Sequence, residues 1–426
     1  MTLRLRRVIA AVCGAVFLAS GHPTAAWALE GRLVDAATGA GVADGIVTVQ
    51  SEEHRAGPAG EFHIDGAPAW VLARAPGYRA AAIPGAQLSN SHGVVRLAPF
   101  TPKALYLTVY GVGSSKLRGG ALDIIRAGGA NALVIDLKGD RGIVPYPTTV
   151  PLALTDGARR VTTIKDLPAL VRELHADGAY LIARIVVFKD NPLASAHPDL
   201  AIRRPGGGLY KDREGLAWTD PFQPDVRAYN IDLAVEAARA GFDEIQFDYL
   251  RFPDASARLV LAQPSNQASR VAAIAGFLAE ARRRLAPYNV FVAADIFGYV
   301  CWNTDDTGIG QRLEEIAPHV DYLSPMLYPS GYQYGIPGVK NPVANSYAIV
   351  HGSLAEAQRR LKISPKRFRP WLQAFKDYAF DYRAFDADEV ALQVRAAEDF
   401  GSNGWMLWNA NNVYSAAGLV REAQGR

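Results

Sequence analysis

Cysteine is almost absent from this 426-residue chain: there are two, Cys13 and Cys301. Cys13 falls in the apolar leader discussed below, so Cys301 would stand alone, and a single thiol cannot form an internal bridge. A disulfide-built fold is therefore excluded, and Cys301 reads as a small buried apolar residue rather than a nucleophile. Charge of one sign is also missing. The formal net charge is +3, from 45 Lys and Arg against 42 Asp and Glu. Arg4, Arg6 and Arg7 lie in a stretch, residues 1–28, that holds no acid, and setting them aside leaves 42 against 42. A balanced chain gives no electrostatic reason to expect nucleic acid or an anionic membrane as partner. Long apolar runs are absent after residue 28. The run Val8–Ser20 is shorter than the about 20 residues a membrane span needs. With the three arginines before it and Ala26-Trp27-Ala28 after it, that run reads as a cleavable export signal. The expected location is secreted or periplasmic, with no membrane span in the mature chain and a monomeric state.

Several chemical signatures are lacking as well. No G-x-G-x-x-G follows the first strand-like run, so a dinucleotide-binding sheet is unsupported, and Gly206-Gly207-Gly208 lacks the G-K-[ST] of a phosphate cradle. No G-x-S-x-G occurs, which removes a serine nucleophile elbow. His175, His197, His319 and His351 are scattered without H-x-H or H-E-x-x-H, so no metal and no other cofactor is expected.

What is present divides in two. Residues 29–99 carry short alternating stretches broken by glycine and proline: Gly31–Asp35, Gly45–Val49, Gly60–Ile64 and Trp70–Arg74. Such spacing predicts an all-β sandwich. From residue 100 to 426 apolar runs alternate with amphipathic helical stretches, the pattern of parallel βα units. Eight strands are expected at Ala104–Tyr110, Ala132–Leu137, Tyr180–Phe188, Glu244–Leu250, Val290–Phe297, Tyr322–Tyr328, Pro370–Phe375 and Gly404–Trp408. Helical patterns cover Asp166–Asp177, Asp225–Ala240, Gln267–Ala286 and Ala387–Phe400. Eight strands over such a length predict a closed (β/α)8 TIM barrel, an α/β fold with a small all-β domain before it.

In a TIM barrel the active site lies at the carboxyl ends of the strands. The fourth strand reads Glu244-Ile245-Gln246-Phe247-Asp248, which sets Glu244, Gln246 and Asp248 on one face. A polar inward face costs several kcal/mol unless it is satisfied or used. Asp248, nearest the carboxyl end, is the first candidate for a working carboxylate; its structural alternative is a loop cap paired with Arg251. The apolar fifth strand delivers a single acid, Asp295, at its end. Neighbouring strands run about 4.8 Å apart, so the two carboxylates could flank one bond. Glycoside hydrolysis needs such a pair, one as acid and one as nucleophile or water-activating base. A structural role for Asp295 would be to accept from loop amides. Other strand ends offer Asp136, Lys138, Arg184, Tyr249, Arg251, Tyr328, Trp371, Gln373 and Trp408 as sugar-binding groups, together with Glu244 and Gln246. Asp136 and Lys138 could equally be an ion pair that orders the rim, and each aromatic taken singly could be core packing.

These residues carry resemblances. The succession G-x-L-V-D-x-x-T-G, G-x-F-x-I and A-x-G-Y in residues 29–99 resembles the carboxypeptidase regulatory-like, transthyretin-type sandwich, which implies no chemistry. The stretches 131–138, 241–253, 294–298, 310–311, 321–330 and 370–375 resemble the bacterial glycosyl hydrolase domain DUF4015. That likeness implies a barrel with glycosidase activity. A more distant likeness, to alpha-amylase-type barrels, implies a nucleophilic aspartate at the fourth strand end, where Asp248 stands, and a glutamate at the fifth, where this chain has Asp295. The third carboxylate of that group is unmatched: Gln373 and Lys376-Asp377 occupy its place. The function expected is cleavage of O-glycosidic bonds in a bacterial extracellular or cell-surface polysaccharide. The alternatives are a non-catalytic carbohydrate-binding barrel and a metal-dependent hydrolase built on Asp136, Asp248 and Asp295.

Overall fold

The computed structural model describes residues 28–255 and 258–419. The export-signal reading, Cys13 included, lies outside the described residues. The chain begins with seven strands: β1 (Ala28–Asp35), β2 (Ile46–Val49), β3 (Glu52–Arg55), β4 (Glu61–Asp65), β5 (Trp70–Arg74), β6 (Ala81–Pro84) and β7 (Val94–Leu97). They form a three-stranded sheet, β4-β1-β7, and a four-stranded sheet, β3-β2-β5-β6. Leu33, Val47, Phe62, Ile64, Val71 and Leu97 from both sheets share one core, so the sheets face each other. In β4 the burial alternates strictly, as expected of a strand with one wet face.

Eight parallel strands then close into a barrel: β8 (Lys103–Leu107), β9 (Ala132–Lys138), β10 (Tyr180–Val186), β11 (Glu244–Asp248), β12 (Phe291–Phe297), β13 (Tyr322–Met326), β14 (Trp371–Gln373) and β15 (Trp405–Trp408). All eight coincide with the expected runs. The expected helices appear as Leu167–Ala176, Pro224–Ala240, Gln267–Leu285 and Ala387–Phe400. Two more, Ser115–Arg126 and Ser346–Leu361, follow the first and sixth strands. The strands read as apolar because both faces are buried: Ile245, Phe247, Val292 and Ala294 join the outer, helix-facing core. Ala104, Tyr106, Val134, Ile182, Ala293 and Met406 fill the interior. Cys301 is a buried free thiol, and burial pushes it up to about 12. No described helix is long and apolar enough to cross a membrane.

The amino end of the barrel is closed by the β unit. Phe100 joins the interior cluster and packs on Tyr180 at 5.3 Å, with the Arg79 guanidinium 3.8 Å above the Phe100 ring. Arg74 of β5 donates to Asp321, just before β13, at 3.1 Å, and Asn289 donates to the carbonyl of Ala81 at 2.9 Å.

Candidate active site

The carboxyl end of the barrel opens into a cleft of about 310 Å³. Arg184, Asp248, Tyr249, Arg251, Tyr328 and Trp408 line it, all of them expected from the sequence; Phe297, Tyr299 and Tyr378 extend its walls. Asp248 is the one acid among the lining residues. Pairing between β11 and β12 runs in step from Glu244↔Phe291 to Phe247↔Ala294, so Asp248 and Asp295 follow at one level of adjacent strands. Asp248 is ion-paired not with Arg251 but with Arg184, whose Nε and Nη2 donate to Oδ2 at 2.9 and 2.5 Å. Its Oδ1 accepts from the amide of Tyr249 at 2.5 Å. Tyr249 itself has φ +46°, a left-handed conformation that costs a bulky residue on the order of 1–3 kcal/mol.

Arg184 is the hub of the site. Its Nη1 donates to Asp136 at 2.7 Å, and Nη2 also donates to Asp140 at 2.8 Å. One guanidinium thus serves three carboxylates, and an unbalanced negative charge remains. Aromatic rings wall the hub in: Trp408 stacks on Tyr106 at 4.0 Å, and Arg184 lies 4.8 Å from the Trp408 centroid. The Tyr106 hydroxyl donates to Asp136 at 2.6 Å. Burial pushes Asp136 up to about 7, with Arg184 opposing and the charge of Asp140 assisting.

Asp295 is placed differently from expectation. It is wholly buried beneath the cleft and does not line it. Trp371 Nε1 donates to its Oδ1 at 2.8 Å, while Oδ2 is buried without a partner. Burial, and then the charge of Asp248, hold its carboxyl well above the usual carboxylate range. In this position Asp295 has no surface on the cleft and its carboxyl is biased towards the protonated form beside Asp248, which does not match its expected role as direct acid. Trp371, also expected to meet substrate, is buried floor that fixes Asp295.

Four other expected substrate contacts lie away from the cleft. Glu244 sits at the opposite end of the barrel, 2.5 Å from Arg369 and accepting from the Tyr180 hydroxyl. Gln246 occupies the middle of the interior and donates to Ser324 Oγ at 3.2 Å. Gln373 is turned to the loop after β13, donating to Ser330 Oγ at 2.7 Å and accepting from its amide. Lys138 leaves the interior altogether. The pairing of β9 with β10 slips after Asp136↔Arg184 so that Lys138 meets Ile185. This bulge turns the ammonium outward to Asp190 at 2.5 Å and Asn230 at 2.7 Å. The alternative reading of Asp136 and Lys138 as an ion pair is therefore not met either: Lys138 pairs with Asp190 and Asp136 with Arg184. Asp377, in the place of the missing third carboxylate, is locked in its loop. Burial opposes ionisation there, but Ser330 and the amides of residues 379, 380 and 382 bring it down to about 2.

Asp136 and Asp248 share the guanidinium of Arg184 where a cation bridging them would sit. Among the described residues no group of three or more His, Cys, Asp and Glu is arranged to hold a metal ion. Sequence reasoning missed Asp140 and Tyr106. Asp140 had one available signal, an acid between Gly139 and Gly142 immediately beyond a barrel strand.

The sequence model of DUF4015, described as "Putative glycosyl hydrolase domain", matches residues 104–414. A search of curated proteins found no match. Among solved structures, the chain is similar to the PgaB (BpsB) glycoside hydrolase domain from Bordetella bronchiseptica. Identity is 16%, over 73% of this chain and 95% of that one, with a TM-score of 0.54, a likeness of fold. It is also similar to a hypothetical protein from Ruminiclostridium thermocellum, 36% identical over 45% of this chain and 96% of that one, TM-score 0.39. With its whole barrel matched by the family model, the chain belongs to the DUF4015 family of glycosyl hydrolases.

Proposed function

We propose that this glycosidase is exported and hydrolyses O-glycosidic bonds of a bacterial extracellular or cell-surface polysaccharide by a two-carboxylate mechanism centred on Asp248. The observation that carries this reading is the position of Asp248: an acid on the cleft, held by Arg184 and by the amide of Tyr249. A carboxylate held this way meets an anomeric carbon directly or through a water. Asp295 supports it from below as a protonated neighbour, since two adjacent carboxyls cannot both ionise cheaply in a desolvated site. Exposed aromatic rings around the mouth, Phe297 at the end of β12 and Tyr110, Tyr334 and Tyr378 on loops, favour a polymer, because flat apolar faces suit the C–H faces of successive sugars. Export rests on the leader reading of residues 1–28. The seven-stranded β unit is further proposed to be a carboxypeptidase regulatory-like sandwich, supported by its two facing sheets.

One observation favours the non-catalytic alternative: neither Asp295 nor Asp377 offers a free carboxyl to the cleft. Incubation with bacterial exopolysaccharides and cell-wall glycans, followed by assay of reducing ends, decides between the two readings. The wild type is expected to release reducing ends from one of them, and Asp248→Asn to lose at least about 10³-fold of that rate with its melting temperature kept. Tight glycan binding with no release would favour the binding protein.

A further inference from the structure

Hydrolysis at Asp248 needs a second carboxyl that reaches the substrate, and the neighbouring acids differ in their access to it. Asp295 is sealed, and the Asp136 side chain is 3% exposed with both oxygens engaged, by Arg184 and Tyr106. The Asp140 side chain is 35% exposed. It accepts through Oδ1 alone, and Oδ2 accepts no hydrogen bond from any described residue. With Tyr106, Tyr110 and Asp136 it lines a small cavity of about 140 Å³, distinct from the cleft that Asp248 lines and joined to it through Arg184. Its distance from Asp248 is bounded by a shared donor. Arg184 Nη2 donates to Asp140 Oδ1 at 2.8 Å and to Asp248 Oδ2 at 2.5 Å, so these oxygens are no farther apart than the sum of those lengths, about 5.3 Å. That upper limit on one oxygen pair lies below the roughly 6.5–9.5 Å that separates inverting carboxyls to admit a water, and is compatible with the about 5–5.5 Å of retaining ones.

We propose that Asp140 is the acid/base partner of Asp248 and that hydrolysis proceeds with retention. This rests on the reading of Asp248 given above. In the first step an Asp248 oxygen bonds to the anomeric carbon. The glycosidic C–O bond breaks, its electron pair leaves with the departing oxygen, and that oxygen takes the proton of Asp140. In the second step water attacks the anomeric carbon and gives its proton to Asp140, and the ester bond breaks with its electron pair returning to Asp248. Arg184 couples the two roles. Three carboxyls share its one guanidinium, so a change of charge on any of them alters the pairing of the others. Once Asp248 is esterified its charge is gone, and Arg184 is divided between Asp136 and Asp140.

The test uses the full chain with 2,4-dinitrophenyl and methyl glycosides of glucose, galactose, mannose and N-acetylglucosamine in both anomeric forms. Proton NMR of the wild-type reaction should show the first-formed sugar with the substrate's configuration; inversion would overturn the proposal without any variant being made. Asp140→Asn should keep dinitrophenyl turnover within about 10-fold and lose methyl-glycoside turnover by about 10²–10⁴-fold, because only the poor leaving group needs the proton. Azide should restore dinitrophenyl turnover in that variant by forming a glycosyl azide. An equal loss on both leaving groups would show that Asp140 only orders Arg184, and the proposal falls. Asp248→Asn should lose both substrates; if it retains them, or if the wild type cleaves none of the panel, the reading of Asp248 fails first and takes this one with it.

Discussion

The two ends of the barrel bury the same kinds of side chain to opposite effect. At the amino end, Glu244, Asp321 and Glu53 meet Arg369, Arg74 and Arg282, three acids to three bases. Arg74, Asp321, Glu244 and Arg369 are all but inaccessible there, beneath the β unit. At the carboxyl end Asp136, Asp140 and Asp248 share Arg184 alone, Asp295 adds a fourth acid, and the cluster opens on a cleft. Matched charges under a cover hold two pieces of chain together. Unmatched charges under a cleft cost stability and persist where chemistry uses them. Charge balance and access, rather than burial alone, separate the structural acids from the working ones.

Three perturbations probe this contrast. The largest effect is expected at the hub: Arg184→Met leaves three carboxyls without a cation. Turnover should drop by on the order of 10³-fold in a stopped assay of the active glycan, the size seen when an electrostatic stabiliser is lost. A drop of less than tenfold would mean the acids do not depend on Arg184. Next, Asp321→Asn strips Arg74 and Arg282 of a buried partner at the seam between the β unit and the barrel. Breaking such a pair costs about 3–5 kcal/mol, so urea unfolding should shift markedly while kcat of the folded fraction is unchanged. Unaltered unfolding would show that the seam carries no stability.

The smallest effect concerns pH. Asp136 is raised from an ordinary 3.8 to about 7, so the folded state holds a proton that the unfolded chain has released. Stability from this group is complete below pH 4 and falls as pH rises towards 7. Asp321 is lowered: burial opposes its ionisation, but Arg74 and Arg282 prevail. Its contribution is present above about pH 4 and is lost on acidification. Melting curves of Asp136→Asn should therefore be flatter than wild type between pH 4 and 7, and equal slopes would remove Asp136 from the account.

Much of the barrel was legible because strands buried on both faces read as apolar runs, and an acid such as Asp248 or Asp295 interrupts them visibly. Which end of the barrel a polar residue reaches was harder to read. Glu244 and Asp248 share one face of β11, yet one meets Arg369 under the β unit and the other lines the cleft. Strict alternation also placed Lys138 beside Asp136, and the bulge in β9 defeated it. Asp140 escaped notice because its partner Arg184 is 44 residues away, and only closure of the barrel brings them together. Asp295 was found by position, but its exclusion from the cleft depends on Trp371, from a strand two places round the barrel.

The most direct test sets one charge from each end side by side, since Asp248→Asn and Glu244→Gln are the same chemical change on the same face of one strand. Turnover on the active glycan and thermal melting would be measured for both. Asp248→Asn should be inactive with a melting temperature at or above wild type, and Glu244→Gln should melt several degrees lower with kcat intact. If Asp248→Asn turns over normally, or if Glu244→Gln is the inactive one, the division of the barrel into a working end and a closed end is wrong.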